Sequence, residues 1–87
     1  MYVIVVYDIG VERIDAVRHM LKQYLTWIQN SAFEGEITEG HIEELRLKLF
    51  EIIEREKDSI IVYSINNPSW IKKRVWGKEK NLTDNIL

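Results

Sequence analysis

The stretch from Tyr2 to Gly10, YVIVVYDIG, sets the β-branched residues Val3 to Val6 between two tyrosines and then stops on an acid, Asp8. β-Branched side chains fit a pleated surface and the run is too short for a helix, so Tyr2 to Tyr7 reads as a central strand. Immediately downstream the hydrophobic period changes. Over Val11 to Leu25, the residues Ile14, Val17, Leu21, Tyr24 and Leu25 share one helical face, with Glu12, Asp15, Arg18 and Lys22 placed elsewhere. The opening is therefore strand, tight turn, amphipathic helix.

The same reading extends outward. In TWIQNSAFEGEIT, Trp27, Ile28, Phe33 and Ile37 are interrupted by Asn30, Ser31 and Gly35, which predicts one bent strand or two. Thr38 offers an N-cap, and Ile42, Leu45, Leu49, Ile52 and Ile53 form the stripe of a second helix ending near Lys57. DSIIVYSI, Asp58 to Ile65, repeats the composition of the first strand, and Asn66-Asn67-Pro68 stops it. This order predicts an α+β, ferredoxin-like βαββαβ sandwich, an antiparallel sheet with two helices on one face. That layout hosts RNA readers, metabolite sensors, metal carriers and nucleases, so it names no function.

With 87 residues the chain is expected to be one domain, residues 1–87, at a size where a single core has little stability to spare. Beyond Pro68, Trp70, Ile71, Val75 and Trp76 are too sparsely placed to bury themselves on so small a body. Residues 68–87 are accordingly expected to be a C-terminal extension at a dimer interface, adding a strand to a partner chain. The composition, 46% apolar and 30% charged, is that of a soluble globular protein. No apolar run reaches membrane length and the N-terminal residues lack the basic flank and small-residue cleavage site of a signal peptide, so a cytoplasmic location without membrane association is expected. The absence of cysteine excludes disulfides and thiolate metal sites.

The formal charge of −2 hides an uneven distribution. Acids outnumber bases from Glu34 to Asp58, whereas Lys72, Lys73, Arg74, Lys78 and Lys80 face Glu79 alone. Local field, not net charge, captures a phosphate backbone, and this tail reads either as a phosphate contact or as a solvated segment.

Asp8 has two readings. It either satisfies backbone N–H groups of the following turn, a routine task for aspartate, or it offers a carboxylate to a ligand at a sheet edge. In the second reading the ligand is a hard cation such as Mg²⁺, which accepts few carboxylates and keeps its waters. One acid per chain is a poor cage, and a two-fold dimer would double it. His19 and His41 lack partners at ligand spacing, and the helical glutamates form a solvated face. No phosphate-binding glycine loop, HExxH or EF-hand pattern occurs. AFEGEI lacks the aromatic motif an RNA-recognition module carries on its third strand.

YVIVVYDIGVERIDAVRHMLKQYL followed by WIQNSAFEGEIT resembles the Cas2 family, the small CRISPR-associated proteins that work beside the spacer-integrating enzyme. The resemblance spans residues 2–65. It implies a ferredoxin-like homodimer whose C-terminal strand joins the partner's sheet, and it makes Asp8 the catalytic, metal-binding acid, facing its symmetry copy. It implies Mg²⁺, or Mn²⁺ as a substitute, and endonuclease activity on single-stranded RNA or duplex DNA, with the CRISPR integrase as a partner in spacer acquisition. Tyr7, Ser31 and Phe33 lie on family motif positions, Arg13 and Arg18 stand near basic ones, and Lys72, Lys73 and Arg74 complete the expected nucleic-acid contacts. Trp27 stands where many members carry arginine. Alternatives from other classes are a non-catalytic duplex-DNA scaffold bridging integrase dimers and a ferredoxin-like metabolite sensor; a toxin-type interferase shares the fold.

Overall fold

A computed structural model of the chain describes residues 1–80. Strand β1, Tyr2–Asp8, lies inside a four-stranded sheet of order β2-β3-β1-β4, where β2 is Thr26–Gln29, β3 is Ala32–Glu36 and β4 is Ser59–Ile65. All neighbouring pairs are antiparallel. Helices α1, Ile14–Lys22, and α2, Glu39–Phe50, form the connections β1 to β2 and β3 to β4. The ferredoxin-like expectation is met.

The period of two along β1 sorts its side chains. Val3, Val5 and Tyr7 are buried with Val17 and Leu21 of α1 and Leu45 and Leu49 of α2. Phe33, in register with Val5, is the largest of the fully buried side chains. The alternate residues Ile4, Val6 and Asp8 point to the opposite side. There Ile4 opposes Tyr63 and Val6 opposes Ile61. Val6, Ile61 and Tyr63 remain exposed, so the sheet has one packed face and one uncovered apolar face.

Both helices are shorter than the sequence pattern predicts. A 3₁₀ turn, Val11–Arg13, precedes α1, which closes at Lys22 because the aromatic and β-branched TWIQ segment is taken into the sheet. The TWIQNSAFEGE stretch is two strands, joined by a turn at Asn30, whose φ of 40° is left-handed, and carrying a bulge between Trp27 and Gln29. The Thr38 hydroxyl caps α2 by accepting from the His41 N–H at 3.1 Å. Helix α2 ends at Phe50 rather than near Lys57. Ile52 and Ile53 still pack on the core, but from a turn.

After β4, Asn67 accepts from the Ser69 N–H and starts a 3₁₀ turn, Pro68–Trp70. Residues 71–80 form no strand within this chain and return towards β3, where the Lys73 ammonium lies 2.6 Å from the Glu34 carboxylate. Trp70 and Trp76 are exposed, as their spacing foretold. The rest of the expected extension, 81–87, lies outside the described residues.

Candidate active site

Asp8 is the last residue of β1 and stands in register with Ser59, the first residue of β4. It is exposed, on the uncovered side of the sheet. The turn chemistry that Asp8 could have performed belongs to a different acid. Asp58, with a fully buried side chain, accepts from the Gly10 N–H at 2.9 Å, the Glu54 N–H at 2.9 Å, Arg13 Nε at 2.6 Å and Arg13 Nη2 at 2.8 Å. These bonds tie the β1–α1 turn to the α2–β4 connection, and Asp8 takes no part in them. The Arg13 guanidinium, aided by both backbone N–H groups, holds the Asp58 carboxyl well below the usual carboxylate range. The same pairing pushes the Arg13 guanidinium up.

Arg13 is therefore not the expected nucleic-acid contact. Its side chain is nearly buried and committed to Asp58, with Glu12 and Glu54 alongside, because a doubly hydrogen-bonded carboxylate outcompetes a solvated phosphate for its fork of donors. Phe33 likewise does not face a ligand: it is fully buried, and its ring tilts against that of Tyr7 with centroids 6.2 Å apart. Tyr7, itself buried, donates its backbone N–H to the Ser31 carbonyl at 3.0 Å. Its hydroxyl accepts from Arg18 Nε at 2.9 Å and donates to the Asn30 carbonyl at 3.2 Å. Arg18 Nη2 and Trp27 Nε1 donate to the same carbonyl, each at 3.2 Å. Tyr7, Arg18 and Ser31 are thus brought together on the helical face of the sheet, opposite the side to which Asp8 points, as a scaffold whose accessible cation is the half-buried Arg18.

Lys72 and Arg74 are exposed, whereas Lys73 is pinned by Glu34 and lies against the middle of the sheet, since Glu34 is in register with Ile4. The tail cluster does not converge on Asp8 in this chain. Asp58 escaped sequence reasoning because its partners Gly10 and Arg13 lie far along the chain. The one available signal is a charged residue directly before an apolar strand.

The family model for CRISPR associated protein Cas2 matches residues 1–73. The chain belongs to the Cas2 family. A protein named CRISPR-associated endoribonuclease Cas2 3, from Thermodesulfovibrio yellowstonii, is 50% identical over 86 residues, covering 99% of this chain and 98% of that protein. A second, CRISPR-associated endoribonuclease Cas2 from Methanothermobacter thermautotrophicus, is 44% identical over 87 residues, covering 100% of this chain and 96% of its own. A Cas2 crystal structure superimposes with a TM-score of 0.83 at 44% identity, covering 92% of this chain and 90% of that one. Cas2 of Streptococcus pyogenes gives 0.72 at 28% identity, over 86% and 100% of the two chains.

A Cas2 fold with Asp8 at this position has donor chemistry suited to a hard cation: an exposed carboxylate oxygen pair, with neither thiolate nor imidazole beside it. Among the described residues no group of three carboxylate, imidazole or thiolate side chains surrounds one point. The fit is that of half a site. Asp8 alone would supply one ligand, and a second copy or a substrate phosphate would have to supply the others.

Proposed function

We propose that this Cas2 chain forms a homodimeric, divalent-metal-dependent phosphodiesterase that cleaves single-stranded RNA or duplex DNA, in the cytoplasm, as part of CRISPR spacer acquisition with the integrase. The observation that carries the reading is the division of labour between two aspartates. Asp58 takes the structural bonds of the turn, which leaves Asp8 exposed at the end of a rigid central strand. The endoribonuclease names of the full-length relatives support the chemistry.

In this reading two copies meet through the uncovered sheet face and its C-terminal extension, and their Asp8 carboxylates hold Mg²⁺, or Mn²⁺ in its place. When bound, the ion supplies Lewis acidity at the scissile phosphate and a lowered water pKa. The chain's own residues orient the substrate. Arg18, held by Tyr7 and the Asn30 carbonyl, presents a fixed positive charge at the end of the sheet where β1 closes, and Lys72 and Arg74 hold the backbone without reading sequence.

Asp8→Asn keeps the size of the side chain and removes its charge. The expected result is loss of Mg²⁺-dependent cleavage of labelled RNA and duplex substrates, with an unchanged circular dichroism spectrum and sedimentation coefficient. Cleavage equal to wild type, in preparations purified through denaturation and refolding, would refute the catalytic role of Asp8. Running the same variant through a spacer-integration assay separates cutting from scaffolding: full acquisition by Asp8→Asn assigns the physiological task to the scaffold.

A further inference from the structure

At the C-terminal end of α2 the Phe50 ring is half-exposed and carries two guanidinium groups, Arg55 at 4.0 Å from the ring centroid and Arg46 at 5.1 Å. The two arginines differ in what else they do. Arg46 is occupied by Glu43, one turn away on the same helix. Arg55 is exposed, and among the described residues it enters no ion pair; its partner is the aromatic ring. A separation of 4.0 Å is that of a cation resting on a π-face, which orders the guanidinium and leaves its outer surface to solvent.

The position of this pair relates it to Asp8. Arg55 belongs to the α2–β4 connection, which Asp58 fastens to the β1–α1 turn through the Gly10 and Glu54 N–H groups. Phe50, Arg55 and Ser59 line one shallow hollow, and Ser59 is the register partner of Asp8. A polynucleotide that presents a phosphodiester to Asp8 therefore passes over the start of the edge strand β4 on its way to Arg55.

The charges around Arg55 decide which part of a polynucleotide it can take. Glu54 is paired with Arg13 and Lys57, but Glu51 and Glu56 are exposed on the same connection and enter no ion pair among the described residues, and they disfavour a second phosphate there. A base carries no charge, and its π-face stacks on a guanidinium plane as well as on an aromatic ring. We infer that Arg55, braced on Phe50, is a stacking site for one unpaired base of a single-stranded nucleic acid engaged at Asp8. The inference rests on the polynucleotide reading proposed above and adds a selection to it: a paired duplex, whose bases are already stacked, does not use this site.

The test is fluorescence anisotropy of the full chain with a labelled single-stranded RNA and, separately, a labelled duplex DNA, in EDTA so that cleavage plays no part. Arg55→Ala is expected to weaken single-strand binding about fivefold or more and to leave duplex binding unchanged. Arg55→Lys keeps the charge but has no planar surface, and is expected to bind single strands as weakly as Arg55→Ala. Phe50→Leu, which keeps the apolar volume, is expected to fall between wild type and Arg55→Ala. Wild-type affinity in Arg55→Ala, or full rescue by Arg55→Lys, overturns the stacking site and leaves the reading of Asp8 standing. Failure of the wild-type chain to bind either polynucleotide in EDTA, together with failure to cleave either once Mg²⁺ is restored, overturns both.

Discussion

Two aspartates at neighbouring strand ends have opposite fates because of what faces them. Asp58 is surrounded by four donors and buried, so its charge is required for the turn to close. The folded chain lowers its pKa, and a carboxyl whose pKa falls on folding stabilises the fold above its unfolded value, about 3.9. That contribution is lost as pH drops below the ordinary carboxylate range towards the folded value. Thermal melts from pH 7 to pH 3 should therefore show a decline in Tm for the wild-type chain at the acid end. Asp58→Asn should melt about 5 °C lower or more at pH 7 and show a shallower acid decline; parallel curves for the two proteins would mean that Asp58 carries no pH-linked stability. Asp8, outside that network, is the residue whose neutralisation should leave stability alone while removing cleavage. The pair of substitutions thus separates the structural acid from the one proposed to act in catalysis.

At the scale of elements, the Thr38 cap illustrates how local chemistry sets boundaries. Its hydroxyl satisfies one of the orphan N–H groups at the start of α2, and Thr38→Ala should cost about 1 kcal/mol in denaturant unfolding, with no change in the slope. This cap, the β1 strand and the apolar stripes of both helices were legible in the sequence, because each is a local pattern of period two or 3.6. The end of α2 was not. Ile52 and Ile53 continue its stripe, but Asp58 captures the Glu54 N–H, and the Glu54 carbonyl accepts from Lys57 and Asp58, so the chain turns after Phe50 instead of adding helix. Position Asp8 was readable from its place after an apolar strand, and its proposed role rests on the family motif. The commitment of Arg13 was not readable: a basic residue near a turn looks like a phosphate contact until a carboxylate 45 positions away is found beside it. The burial of Phe33 was equally hidden, since an aromatic in an extended segment suits a stacking surface and a core alike until register sets it opposite Val5.

At the scale of the whole molecule the decisive feature is the uncovered face. Ile4, Val6, Ile61 and Tyr63 make a continuous apolar surface on the side of the sheet without helices, and Asp8 sits at its end. Glu34 is nearly buried on this face and is neutralised by Lys73 of the returning tail. Burial, and then the Glu34 carboxylate, push the neighbouring Tyr2 phenol up to about 12, so the face keeps its neutral tyrosine over the whole physiological range. A second copy docked on this surface would bury the apolar row and bring the two Asp8 residues to one side of the assembly, which an isologous contact does at no cost in additional sequence. Ile61→Asp tests this arrangement, because the side chain is 48% exposed in the single chain. An aspartate there should change the stability of an isolated subunit by no more than about 0.5 kcal/mol, as surface substitutions do. In a dimer the same aspartate would lie unpaired against its own copy, away from water, a burial that proteins avoid. Analytical ultracentrifugation should therefore find wild type as a dimer and Ile61→Asp as a folded monomer, with metal-dependent cleavage lost along with the second Asp8. A variant that remains dimeric would exclude this face as the interface, and a monomer that still cleaves would show that one Asp8 suffices.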